Sequence, residues 1–373
     1  MSALSETVDQ LFALLGASPF GLHQLQQAVQ RIVEKAYDAA PQDIEEALQR
    51  LNPLLLQGPP LGAAVIAIGC GTLVEQGADP TLVSMNILHR TFEALQLAPA
   101  FVSACQEAAR RQVDTESSID PEDIEACVEQ YEQQIAQEKP AEFQGWKALP
   151  SLCTAALAVL MRAPKGREAT RQQAQFMAAL EACRLYHNSV ECLYELLAMS
   201  ESEEFIVLDP HLKRGYHVRI QGVHDNFQLH TLLADALIGD PAQGWLPGER
   251  PDPRVAAAAK DGSFPMPGEE KGNFPVAEGN FNLWNWQGLQ PDGTLPTGFA
   301  QKEHWIWNEG KPTDVQPFEG TRIILLGEPP YKRTWSAIRY FPGLPGQIEV
   351  LAQLSPEQVN NWLSRITSAV TQA

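Results

Sequence analysis

The chain has 373 residues, enough for two or three domains of ordinary size, and 44% of them are hydrophobic, so it can bury a large core. Its net charge is −19 and its isoelectric point is about 4.8. We predict neither a nucleic-acid partner nor a membrane partner, because phosphate backbones and anionic lipids attract basic surfaces.

The start of the chain and its cysteines favour a cytoplasmic protein. Residues 1–16 carry acidic side chains where a secretory signal carries basic ones, and no long apolar run follows. The most apolar segment, residues 61–74, is too short to span a bilayer, so we predict a buried helix. Without a CxxC pair, the cysteines favour free thiols in a reducing compartment. The six cysteines are Cys70, Cys105, Cys127, Cys153, Cys183 and Cys192.

Amphipathic helices follow one another through the first 200 residues. Val8, Leu11, Phe12 and Leu15 recur at helical spacing, and Gly16 supplies a stop signal. Similar patterns, separated by glycine and proline turns, continue to residue 199. We therefore predict that residues 1–200 form an all-α domain. It would be a helical bundle or an irregular helical-repeat stack, because no fixed repeat period emerges.

Two features of this half invite a functional interpretation, and we favour a structural one for both. Cys70 stands between Gly69 and Gly71, a setting found around some catalytic cysteines, but no family signature surrounds it. We predict that Cys70 is a core residue. The acidic stretch 116–138 alternates with apolar residues at helical spacing and lacks the calcium-loop pattern, so we predict an amphipathic helix with a solvated face.

Strand-like segments appear after residue 200. EEFIVLDP and GYHVRIQGV have strand composition, a helix follows, and later segments rich in branched and aromatic residues lie between turn signals. The stretch 240–280 is dense in proline and glycine and too long for an ordinary connection, so we predict an arm or lid. We predict that residues 201–373 form a smaller α+β domain with an antiparallel meander. The expected fold class of the chain is α+β.

The stretch YHVRIQGVHDNFQLH, residues 216–230, holds three of the eight histidines. Alternation places His217 and Arg219 on one face of a strand, and Asp225 is the expected N-cap of the next helix, with Gln228 completing a capping box. The functional alternative is that His217 and His224 meet while Asp225 orients an imidazole for general-base catalysis. We favour the structural corner and therefore assign no catalytic residue. The histidine spacing is not that of a zinc site, and we predict no metal.

Four tryptophans form the candidate ligand-binding surface. Trp284 and Trp286 lie two residues apart, as do Trp305 and Trp307, so each pair would share one face of a strand. Paired aromatic rings could stack on a sugar, a base or a proline. The alternative, which we favour, is that these rings form the core of a small sheet.

Three functions remain open, because the chain carries no phosphate-binding loop, nucleophile elbow or zinc-protease motif, and we predict no cofactor. The first is a non-enzymatic scaffold or protein-interaction protein, whose partner would be another protein. The second is an enzyme of unfamiliar class with an acid–base site at His217, His224 and Asp225 under a lid formed by residues 240–280. The third is a small-ligand sensor with a tryptophan-lined pocket. The sequence leaves the oligomeric state open.

Overall fold

The structure is a computed structural model. It describes residues 2–17, 21–111, 119–199, 201–261, 276–278, 285–288, 310–327, 334–336, 340–341 and 343–366. The chain separates into two compact units, Met1–Ala198 and Met199–Ala373. The predicted class, α+β, is confirmed, because helices build the first unit and the second combines a sheet with helices.

The described part of the first unit contains ten α-helices. Four of them, α3, α4, α7 and α8 in the order below, begin with proline. Proline is tolerated there because an N–H at the first helical position has no intrahelical acceptor. The helices are α1 (Ala3–Gly16), α2 (Leu22–Ala36), α3 (Pro41–Leu51), α4 (Pro60–Glu75), α5 (Ser84–Arg110), α6 (Ile124–Glu138), α7 (Pro140–Met161), α8 (Pro164–Arg171), α9 (Ala174–Ala182) and α10 (Asn188–Ala198).

Small residues let the central helices of this unit approach one another closely. A Cβ atom added at Gly71 would lie 3.3 Å from the Ala155 backbone, and one added at Gly145 would lie 2.4 Å from the Cβ of Leu97. Cys70 lies on the same helix as Gly71 and is fully buried. The prediction that Cys70 is a core residue is confirmed, and the glycines beside it serve helix packing.

A mixed sheet organises the second unit. Its strand order is β4-β6-β1-β2-β8, with β5 added beside β6, while β3 and β7 form a separate pair. The strands are β1 (Glu203–Asp209), β2 (Arg214–Gln221), β3 (Val276–Glu278), β4 (Asn285–Gly288), β5 (Pro317–Phe318), β6 (Thr321–Gly327), β7 (Thr334–Ser336) and β8 (Gln347–Gln353). The helices are α11 (Asn226–Leu237), α12 (Pro253–Asp261) and α13 (Pro356–Arg365).

The sheet differs from the expected antiparallel meander. β1 and β2 pair as an antiparallel hairpin, but β6 runs parallel to β1. β8 then pairs with the outer side of β2 rather than with its neighbour in sequence. A parallel pair requires a long crossover. The chain between β2 and β6, which includes α11 and α12, provides that length.

Both faces of the sheet bury apolar side chains. On β1, Val207 belongs to the core cluster that includes Leu229 and Leu233 of α11 and Val255 of α12. Its neighbour Ile206 points the other way and packs in a second cluster with α13. The alternation of strand side chains therefore produces two apolar layers, one on each face.

The described beginning of the predicted arm belongs to this packed unit. Leu246 accepts a backbone hydrogen bond from Gly239 and donates one to Leu237, and α12 buries Val255 and Ala259. Residues 240–261 are therefore packed in the unit, and their role as an arm or lid stays a prediction. The many prolines and glycines of this segment predict no helix, yet the alanine-rich residues Pro253–Asp261 form α12, which has one apolar side. Residues 262–275 and 279–280 of the predicted arm lie outside the described residues.

Candidate functional site

The start of α11 forms a tight corner with the end of β2. The Asp225 carboxylate accepts the Gln228 N–H at 2.8 Å, so Asp225 caps the helix as expected. Gln228 does not complete the expected capping box. Its Oε1 accepts from the His224 N–H at 3.2 Å, and its Nε2 donates to the Ala259 carbonyl at 2.9 Å. The Gln228 amide therefore joins the β2–α11 corner to α12.

A glycine is required at the end of β2. Gly222 has a φ of +62°, in the left-handed region, and a Cβ added there would lie 2.0 Å from the Pro345 carbonyl oxygen. Only glycine meets both the conformational and the steric demand. The corner between β2 and α11 is consequently fixed by backbone packing as well as by the Asp225 cap.

Buried polar side chains are concentrated at this corner. Of the eleven buried polar or charged residues in the described part of the chain, five lie within residues 224–231. They are His224, Asn226, Gln228, His230 and Thr231. Burial of polar groups costs stability unless hydrogen bonds compensate. Such a concentration is typical of a functional site or of a segment that must adopt one geometry.

His224 lies in an aromatic environment beside a carboxylate. Its ring stacks on Tyr340, with centroids 4.5 Å apart, and meets the Phe341 ring edge-on at 5.1 Å. Its Nδ1 lies 3.8 Å from Asp225 Oδ2, and the two side chains are 8% and 14% exposed. That separation suits an ion pair with a protonated imidazole but exceeds hydrogen-bond distance. Asp225 therefore acts mainly as a cap in this geometry.

His217 faces the opposite side of the sheet. It is paired across the strands with Ile206, which packs on the α13 side, whereas α11 covers the other face. The His217 Nε2 lies 2.8 Å from Glu204 Oε2, and Arg219 donates to the same carboxylate at 2.7 Å. Both contacts hold the pKa of Glu204 below its usual value, the Arg219 bond contributing most. The structure thus brings His224 and Asp225 together and places His217 in a separate, partly exposed ion-pair network.

Most of the predicted tryptophan surface lies outside the described residues. Trp284, Trp305 and Trp307 are outside them, and Trp286 is placed only as a member of β4, paired with Leu326. A ligand-binding role for the four residues therefore stays a prediction.

A groove between the first turns of α5 and α9 was missed by the sequence analysis. Its volume is about 480 Å³. Met85, Leu88 and Phe92 line it from α5, and Phe176 lines it from α9, with its ring 6.0 Å from that of Phe92. The helical periodicity of α5 predicts that these side chains share an apolar face. It does not predict whether a neighbouring helix covers that face.

Polar groups surround this apolar floor. His89, which also lines the groove, lies 3.2 Å from Glu93 through its Nε2. Arg90 holds the other carboxylate oxygen of Glu93 at 2.6 Å and also donates to the Gly58 carbonyl. An apolar centre with a polar rim is the usual anatomy of a protein-docking surface. His89, Gln173 and Gln175 are the polar side chains that line the groove.

Burial disfavours nucleophilic chemistry at Cys70 and Cys105. Burial raises the thiol pKa of Cys70 to about 12 and that of Cys105 to about 11, and neither cysteine forms a disulfide. The thiolate, which is the reactive form, is disfavoured at such sites. The described residues contain no group of three or more potential ligands for a metal ion. Among the same residues, no helix combines the length and apolarity needed to cross a bilayer.

Comparisons with known proteins leave the groove and the corner as the basis for a functional argument. No family model, no curated protein and no solved structure matches the chain. The function must therefore be inferred from the contacts of these two sites.

Proposed function

We propose that this chain is a non-enzymatic protein-interaction protein that docks a partner in the groove between α5 and α9. The observation that carries the proposal is Met85, which is 81% exposed at the edge of a groove lined by Phe92 and Phe176. Contiguous exposed apolar surface marks interaction sites in soluble domains. Methionine suits such a surface because its flexible thioether adapts to different partner side chains.

The partner surface that fits best is an amphipathic helix with basic residues beside its apolar face. Met85, Leu88 and Phe92 form a row at helical spacing, which matches the apolar row of a second helix lying along α5. Acidic side chains outnumber basic ones in residues 1–198. Charge complementarity therefore favours a basic partner, both in steering and in orientation.

Synthetic helices test this proposal directly. Two peptides would carry the same row of leucines, one flanked by lysines and the other by glutamates, and binding would be measured by fluorescence anisotropy. We expect the lysine-flanked helix to bind and Met85→Glu to weaken it at least about tenfold, a loss of about 1.4 kcal/mol. The Met85 methyl resonance should shift on binding.

Leu185→Glu supplies the matched control. Leu185 is 88% exposed, does not line the groove, and receives the same charge as Met85→Glu. Binding to this variant should equal binding to the wild-type protein. The proposal fails if neither helix binds, or if the two variants reduce binding equally, because either result removes the groove from the interaction.

General-base chemistry at His224 is the second candidate function. It is favoured by the buried His224 lying beside the partly buried Asp225 and by the concentration of buried polar groups around them. In this role His224 would accept a proton and Asp225 would stabilise the imidazolium. It ranks second because the 3.8 Å separation between Nδ1 and Oδ2 leaves the imidazole without a direct hydrogen bond to the carboxylate.

A further inference from the structure

The strand β8 is the last strand on one side of the main sheet as far as the structure describes the chain. It pairs with β2 over its whole length, and within the described part of the chain no strand pairs with its other side. Among the described residues, no backbone–backbone hydrogen bond reaches the outward groups of residues 347–353. An edge with free N–H and C=O groups is a template for another strand.

Apolar side chains of β8 are less completely buried than those of the inner strands. Val207, Val218 and Ile324 have no exposed surface, whereas Ile348 and Val350 pack against the same core cluster and stay partly exposed. A further strand beside β8 would cover them. The sheet therefore has an unfinished apolar layer at this edge as well as unpaired backbone.

Charge makes this edge suitable for a second copy of the same chain. The segment Leu344 to Pro356 contains one charged residue, Glu349, in a protein with a net charge of −19. Arg219 already lies 3.1 Å from the Glu349 carboxylate. Two copies would meet here with less repulsion than two average surfaces of so acidic a molecule.

The features by which natural edge strands avoid pairing are mostly absent from β8. It contains no proline and no lysine, and its single irregularity is a bulge beside Val350 where the pairing with β2 shifts by one residue. A bulge increases local twist but does not remove the free backbone groups on either side of it. The edge is therefore weakly protected.

We propose that β8 is a homodimer interface through which two copies of the chain join their sheets edge to edge. The arrangement follows two-fold symmetry, with the same strand contributed by each copy. Seven residues per strand give a contact smaller than a standard interface of about 1,600 Å². The dimer is consequently weak and dissociates on dilution. This inference is independent of the α5–α9 groove.

Sedimentation equilibrium of the full chain over about a hundredfold range of concentration tests the proposal. We expect the average mass to rise from monomer to dimer. Ala352→Glu adds a charge at an exposed edge position, and repulsion between the two copies should weaken the dimer at least about tenfold. Amide exchange in residues 347–353 should also slow as the concentration rises.

Ala100→Glu, an exposed position on α5, is the matched control because it adds the same charge away from the edge. It should dimerise like the wild-type chain. Gln353→Glu replaces Ala352→Glu if circular dichroism shows the latter to be misfolded. If the wild-type chain is a monomer at every concentration, the homodimer proposal is overturned. This holds even if the β8 edge pairs with a strand of another protein. A dimer that survives the edge substitution overturns it as well.

Discussion

His187 is held neutral by its surroundings. Its ring lies 4.5 Å from that of Trp146, and its Nε2 is buried without a hydrogen-bond partner among the described residues. Burial, and to a smaller degree the nearby Lys147 charge, lower the pKa of the imidazole below its ordinary value. A proton added to His187 in the folded state would be a buried positive charge next to another cation, which is costly.

The first unit should therefore lose stability in mild acid. In the unfolded chain His187 binds a proton near pH 6.5, whereas in the folded chain it does so at a lower pH. Below pH 6.5 the unfolded state consequently binds more protons, so the free energy of unfolding falls as the pH falls. Urea unfolding followed by tryptophan fluorescence should show this loss between about pH 7.5 and 5.5. His187→Gln should reduce the loss, and an unchanged pH dependence would contradict the assignment.

At the scale of single elements, two structural roles of Asp225 can be distinguished, the N-cap of α11 and the charge beside His224. Asp225→Ala removes the acceptor for the Gln228 N–H and should lower the free energy of unfolding by about 1 kcal/mol. Asp225→Asn keeps that acceptor and should cost far less. Equal losses for the two variants in urea unfolding would show that the carboxylate charge beside His224, and not the cap, is what the fold requires.

Local signals made some elements predictable. Asp225 was recognised as a cap because the cap depends on a residue and a helix start that are adjacent in sequence. The partners of Gln228 were not predictable, since one of them, the Ala259 carbonyl, lies on α12, 31 positions away. The parallel pairing of β6 with β1 and the uncovered row at Met85 were unpredictable for the same reason. Each depends on contacts between segments far apart in the chain.

At the scale of the whole molecule, the net charge and the exposed apolar surface would act on the proposed partner over different distances. A net charge of −19 repels acidic proteins and attracts basic ones over distances set by the salt concentration. In the proposed interaction, the apolar groove at Met85 and Phe92 would act only on contact. The charge should therefore control how fast a partner associates, and the groove should control how long it stays bound.

This division predicts a specific salt dependence for the lysine-flanked helix. Between about 0.05 and 0.5 M salt its association rate constant should fall by about tenfold, because screening weakens the attraction of the acidic surface. Its dissociation rate should change little, since the apolar contact with Met85 and Phe92 is insensitive to screening. Met85→Glu should show the converse, a faster dissociation with a nearly unchanged association rate. Stopped-flow fluorescence measures both constants. If salt accelerated dissociation as strongly as it slowed association, ion pairs and not the groove would hold the partner.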